Sequence, residues 1–341
     1  MAHNLNMTNG KAAMFYSGEK PWHGLGTEVK GALTALEAIK AAGLDWAVDR
    51  EEVYRVTPNG VTMIPGKRAI VRHDTGAVFG VLGEGYTPIE NREAFSFFDS
   101  VVGDGGAIYH TAGALGAGEK TWILAKLPKD MEIDGTGDKV EKYLLLSNAH
   151  DGTAALRMHF TPVRVVCQNT LNLAQSGRGK GEGIAIRHTS GAAGAVQEAQ
   201  RALGLAVKFY DGFDKTANEL ASKPCSRDAV KAYFEALIPD NVEAERNTRT
   251  ENIRKALEHN FTHGAGNDLP GIAGSWWAAL NAVTEYVDHD RSTRGETETE
   301  RRSNRLESLW FGSGARVKAE AWDTALELAG VAVPTAVNGK A

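Results

Sequence analysis

The chain has 341 residues, of which 42% are hydrophobic and 24% charged, with a formal net charge of −5 at pH 7. That is ordinary globular composition with material for about two domains at roughly 150 residues each, and it excludes a bulk polycation of the chromatin type. No apolar run approaches the ~18 residues of a membrane span, the first residues carry no apolar signal core, and the two cysteines, Cys167 and Cys225, cannot build a disulfide framework or a cysteine-rich zinc site. The expectation is therefore a soluble cytoplasmic protein with no membrane partner.

In chain order, the pattern predicts a helix over Leu33–Ala42 stopped at Gly43, then short strands broken by explicit turn residues. The strands are Trp46–Val56, Lys67–His73, Ala77–Leu82, Ala107–Thr111, Thr121–Leu127, Tyr143–Ser147, Ala154–Phe160 and Ile184–His188. Pro58-Asn59-Gly60, Asp74-Thr75-Gly76, Asp134-Gly135 and Asp151-Gly152 mark the turns, and the last joins a hairpin between Tyr143–Ser147 and Ala154–Phe160. Two further helices interrupt this half, over Asn91–Val102 and near Val165–Ala174. The fold class that follows is α+β, an N-terminal antiparallel or mixed sheet followed by a mainly helical region. The division falls at residues 1–190 and 191–341.

The helical part opens with a long helix over residues 193–223. Val196, Ala199, Leu203, Ala206, Tyr210, Phe213, Ala217 and Leu220 alternate spacings of three and four, a narrow seam that suits either the helix's own core or a partner helix. Arg291–Arg305 contains no apolar residue and reads as an exposed loop, and the last residues read as a tail. No solenoid repeat is present.

Motifs for covalent chemistry are scarce. Neither a phosphate-binding P-loop nor a dinucleotide glycine fingerprint occurs, and the glycine-rich pieces from Gly113 and from Gly177 lack the strand–loop–helix context. There is no nucleophile elbow, and Cys167 lies in an apolar run, where packing is favoured over a reactive thiol. His259 and His263 share a helical face but have no obvious third ligand, while Glu285 and His289, with Asp288 adjacent, share a face in a pattern common as a surface ion pair. His23 beside glycines reads as a turn. The expectation is no cofactor, no bound metal and no catalytic residue.

The remaining signal is electrostatic. Between Thr153 and Ser190 the charged residues are Arg157, Arg164, Arg178, Lys180, Glu182 and Arg187, an excess of four positive charges in an acidic chain. Strand alternation sets Arg157 and His159 on one face and Leu156, Met158 and Phe160 on the other. A sheet face carrying arginines can contact phosphates; equally it can be an ordinary solvated face. Gln168 and Asn169 add hydrogen-bonding groups for phosphate or base edges, or else satisfy local backbone.

Several segments resemble one family in order along the chain: Pro21–Gly26 (PWHGLG), Tyr86–Phe95 (YTPIENREAF), Thr111–Gly118, Leu145–Gly152, Pro162–Leu171 and Asn281–His289. They are similar to the phage/plasmid-like protein family, a domain of unknown function carried by bacteriophages, prophages and conjugative plasmids. The resemblance implies a mobile element's protein acting in replication, recombination or defence. More remotely, the order of sheet and helices resembles single-strand annealing proteins of the RecT, Red-beta and Rad-fifty-two type, a likeness of architecture alone. The function this implies is ATP-independent binding and annealing of single-stranded DNA, with self-association into a ring or filament. DNA would be held by Arg157, His159, Arg164, Gln168, Asn169, Arg178, Lys180 and Arg187. The alternative is a non-enzymatic protein-interaction factor of host takeover or of the virion; a metal-dependent nuclease or hydrolase is a third.

Overall fold

The computed structural model describes residues 5–8, 11–17, 26–30, 33–96, 107–154, 156–164, 166, 169–170, 184–185, 192–240, 248–298, 301, 304–305, 308–309 and 312–332. The chain is α+β. Its strands are β1 (Met7–Thr8), β2 (Lys11–Ala12), β3 (Met14–Ser17), β4 (Thr27–Val29), β5 (Val48–Thr57), β6 (Gly60–Arg72), β7 (Val78–Gly83), β8 (Ile108–Leu115), β9 (Lys120–Lys126), β10 (Met131–Glu132), β11 (Lys139–Ala149), β12 (Arg157–Arg164), β13 (Asn169–Thr170) and β14 (Ile184–Ala185). Nine of them form a mixed sheet in the order β13-β12-β11-β9-β8-β3-β4, with β10 beside β11 and β14 beside β12; only β3 and β4 run parallel. A second, antiparallel sheet has the order β5-β6-β7.

The helices are α1 (Ala35–Ala41), α2 (Ala192–Ser222), α3 (Arg227–Leu237), α4 (Thr248–His263), α5 (Trp276–Glu285) and α6 (Ser313–Ala329). Short polar residues start three of them. Thr34 and Glu37 close a reciprocal capping box on α1, Ser226 caps α3 through the Ala229 N–H, and Ser275 caps α5 through the Ala278 N–H. Helix α6 ends at Gly330, whose φ of 63° is the left-handed conformation that glycine adopts without strain.

Helix α5 is buried on every side from Trp276 through Thr284, because it lies inside the helical layer rather than upon it. Around it, Phe213 of α2 meets Trp277 and stacks on Trp322 of α6 at 5.2 Å. Helix α2 lies on the large sheet: Phe209 stacks on Phe160 at 4.6 Å, and the Tyr210 hydroxyl bonds the main chain of Tyr143. One buried apolar cluster therefore runs from the sheet into the helices, and the composition change near residue 191 marks the passage from one layer to the next.

Several expectations need correction. The helix near Val165–Ala174 is not formed: Asn169 and Thr170 pair with β12 as a strand. Strand β12 runs to Arg164 rather than ending at Phe160. Its Pro162 falls between the short edge strands β14 and β13, where a residue without an N–H is tolerated. Strand β6 starts at Gly60, seven residues early. Strand β3 was not expected at all, although Phe15 and Tyr16 are buried. The Arg291–Arg305 loop is partly helical at 298, 301 and 304–305, and Arg305 ties it down by donating to the carbonyls of Asp288, His289 and Arg291. The seam of α2 faces its own core from Ala206 to Leu220, so it is not available for self-association; the side chains of Val196 and Ala199 lie outside the described residues.

Candidate nucleic-acid interface

The large sheet has one face on α1, α2 and α5. Its second face is built by alternation from β9, β11 and β12. The hairpin β11–β12 is symmetric about Gly152, which pairs Ser147 with Arg157 and Leu145 with His159. Strand β9 adds Trp122 opposite Ser147 and Leu124 opposite Leu145. Trp122, Ser147 and Arg157 thus form one row across three strands, and His159 sits one row along.

Under this row lies a second apolar cluster of Leu5, Met14, Leu115, Trp122, Leu124, Tyr143 and Leu145. Trp122 fits because it crosses Gly113: a Cβ at that glycine would come within 2.6 Å of the indole and 2.7 Å of the Ala13 carbonyl. The Gly113 segment is therefore a packing device in β8, not a phosphate loop. The face differs from the solvated surface that alternation alone suggests, since it is half apolar core.

The polar groups in the row are mostly donors. The Trp122 Nε1–H is buried with no acceptor among the described residues. Ser147 Oγ and His159 Nε2 are 3.4 Å apart. Burial, assisted by the positive charge of Arg157, pushes His159 down to about 4, so its ring is neutral at pH 7 and supplies a hydrogen bond rather than a cation. Arg157 is half-buried at the rim of the face. Of these groups only Arg157 and His159 keep partial exposure, and they suit an acceptor such as a phosphate oxygen. The row does not assemble a nucleophile: no carboxylate among the described residues orients His159 toward Ser147.

The residues expected to hold DNA separate into three groups. Arg157 and His159 do share the second face. Arg164 does not. It is 2% exposed and points into the opposite side, where its Nε lies 2.8 Å from both Asp138 carboxylate oxygens. Its remaining donors reach Asn267 Oδ1 at 2.8 Å, the Gly266 carbonyl at 2.7 Å and the Ala265 carbonyl at 3.1 Å. Trp277 Nε1 donates to the same Asp138 at 2.9 Å. Arg164 is thus a strut joining sheet to helices, because a buried arginine must spend its donors internally. Asn169 lies in β13, beside Arg164. Gln168, Arg178, Lys180 and Arg187 lie outside the described residues, as do the side chain of Asn169, Cys167 and His23.

Strand β13 pairs with Val163 and Arg164, and β14 pairs with Arg157 and Met158, so both ends of the 171–183 segment are tied to one edge of β12. Arg178 and Lys180 belong to that segment, and Arg187 follows Ala185 by two residues.

The histidine pairs hold no metal constellation. His259 and His263 stack at 4.7 Å on the exposed side of helix α4, while Glu285 accepts from the Ala265 N–H just past that helix's end. Among the described residues no group of three histidines, cysteines or carboxylates is placed to hold an ion. Burial pushes the Cys225 thiol up to about 12, which makes it inert at neutral pH. Among the described residues no helix is long and apolar enough to cross a membrane.

Sequence reasoning missed Trp122 and Ser147. The turn at Asp151-Gly152 carried the signal, since a hairpin centred there sets Ser147 opposite Arg157; the β9 pairing carried none. No curated protein and no solved structure matches the chain. A family model described as a domain of unknown function, DUF932, matches residues 78–310, from β7 to just before α6, and the chain belongs to that family.

Proposed function

We propose that the chain binds single-stranded DNA without nucleotide hydrolysis and anneals it, as a protein of a phage or plasmid. The observation that carries this reading is the edge of β12. Strands β13 and β14 both pair with β12, which carries Arg157, and the sequence between and just after them holds Arg178, Lys180 and Arg187. Four cations within this short stretch of sequence suit the repeated phosphates of a strand better than a point ligand. Beside Arg157, the half-buried His159 offers a neutral hydrogen-bonding ring to a phosphate oxygen or a base edge. Bases left outside the groove stay free to find a complement, which is what annealing requires.

The test is fluorescence anisotropy of a labelled oligonucleotide across a salt series. Four neutralised phosphates predict a slope of log K against log salt of about −3, at ~0.7 per phosphate. Replacing Arg178 and Lys180 by alanine should reduce the slope by about 1.4 on the same relation. Arg164 is excluded from this count. A folded variant with unchanged slope and affinity would place DNA elsewhere or overturn the reading, leaving the protein-interaction alternative.

A further inference from the structure

Beyond the last residues that pair with β7, strands β5 and β6 continue as a two-stranded arm. There Tyr54 pairs with Met63 and Val56 with Val61, so four apolar side chains share one face. They are exposed, Val56 at 83% and Val61 at 66%. From Val56 to Gly66 the arm carries no charged residue. A two-stranded ribbon with an apolar face in water is marginal by itself, so this arm is built for something to cover it.

Strand β5 is also an open edge. Among the described residues it pairs with β6 alone. The irregularity near its middle leaves four residues of β6 between Met63 and Arg68 against Val53 alone on β5, so the extra residues belong to β6. Glu51 and Arg55 flank Val53, both exposed, and neither forms an ion pair within its own chain among the described residues.

We propose that β5 is a dimerisation edge that pairs antiparallel with β5 of a second copy of this chain, about a two-fold axis at Val53. That register sets Glu51 opposite Arg55 of the second copy, and Arg55 opposite its Glu51, satisfying both free charges at once. The two Tyr54 rings become diagonal neighbours, within reach of aromatic side chains, so the apolar faces of the arms join across the axis. Parallel pairing would instead set like charge beside like. The result is one continuous six-stranded sheet with an isologous, closed interface. This surface is distinct from the β12 edge proposed for DNA.

Sedimentation velocity of the wild-type protein at tens of micromolar should give a dimer. Glu51→Arg and Arg55→Glu each turn two attractive cross-strand pairs repulsive and should weaken the dimer by about tenfold. Both sites are exposed, so the variants should keep the wild-type circular dichroism. Mixing the two variants restores complementary charges at both ends and should recover the dimer as a heterodimer. A monomeric wild type overturns the proposal. So does a dimer indifferent to both substitutions, or variants that do not rescue each other, since the copies or another protein would then meet elsewhere.

Discussion

Arg164 illustrates how one residue's role follows from burial rather than from charge. Its guanidinium and the Asp138 carboxylate, itself unexposed, are a desolvated pair that neither partner can leave singly. Arg164→Ala should cost about 3–5 kcal/mol in urea denaturation, because it strands a buried carboxylate beside Trp277. Asp138→Asn should be costly as well, and DNA binding by the folded fraction of either variant should be unchanged. His150 is a second such case. It has no exposure, lies between Trp46 and Phe79, and sets Nε2 3.0 Å from Asn91 Oδ1. Burial pushes its pKa down to about 4. A free histidine titrates near 6.5, so the unfolded chain accepts a proton that the folded chain resists. Its stabilisation is complete above about pH 6.5 and is lost as pH falls toward 4. The melting temperature should therefore drop between pH 7 and 4.5, and by less in His150→Gln; equal pH dependence in the two proteins would refute this.

At the scale of elements, α2 decides between packing and assembly. Phe213 is enclosed by Phe209, Trp277 and Trp322, and Ala217 and Leu220 are fully buried. Phe213→Glu should abolish the cooperative melt, since a carboxylate there has no partner. Val207, on the exposed side of the same helix, should accept Glu within about 0.5 kcal/mol. A folded Phe213→Glu protein of reduced size by light scattering would instead restore the seam as an interface. In the sheet, Gly113→Ala should destabilise by about 1–3 kcal/mol, because its methyl group would overlap the Trp122 ring.

For the whole molecule, the sheet is the frame that keeps two chemistries apart. Its inner face feeds the core shared with α2 and α5, while its far edge carries the β13 and β14 pairings. The β5–β6 arm belongs to the separate small sheet, which is anchored by Arg72 over the Trp46 ring and by its bonds to Asn6 and Asp74. If both proposed surfaces act, dimerisation and DNA binding should be separable. Arg55→Glu should weaken the dimer and leave the affinity of a short oligonucleotide unchanged, as measured by anisotropy below the dimer's dissociation constant.

The sequence by itself determined the α+β class, the order of sheet before helices, the long helix and its seam, and the alternation that aims Arg157 and His159 to one side. These are local properties: turn residues set φ and ψ, and apolar spacing sets which face is buried. The tertiary structure alone decided that Arg164 is a buried strut, that Trp122 and Ser147 join Arg157, and that the α2 seam turns inward. Each of those depends on a residue distant in the chain, such as Asp138 with Asn267, Trp122 across Gly113, or Trp322 against Phe213. Strand β3 escaped sequence reasoning for the same reason. Four residues carry no periodicity of their own, and only pairing with β8 and β4 makes them a strand.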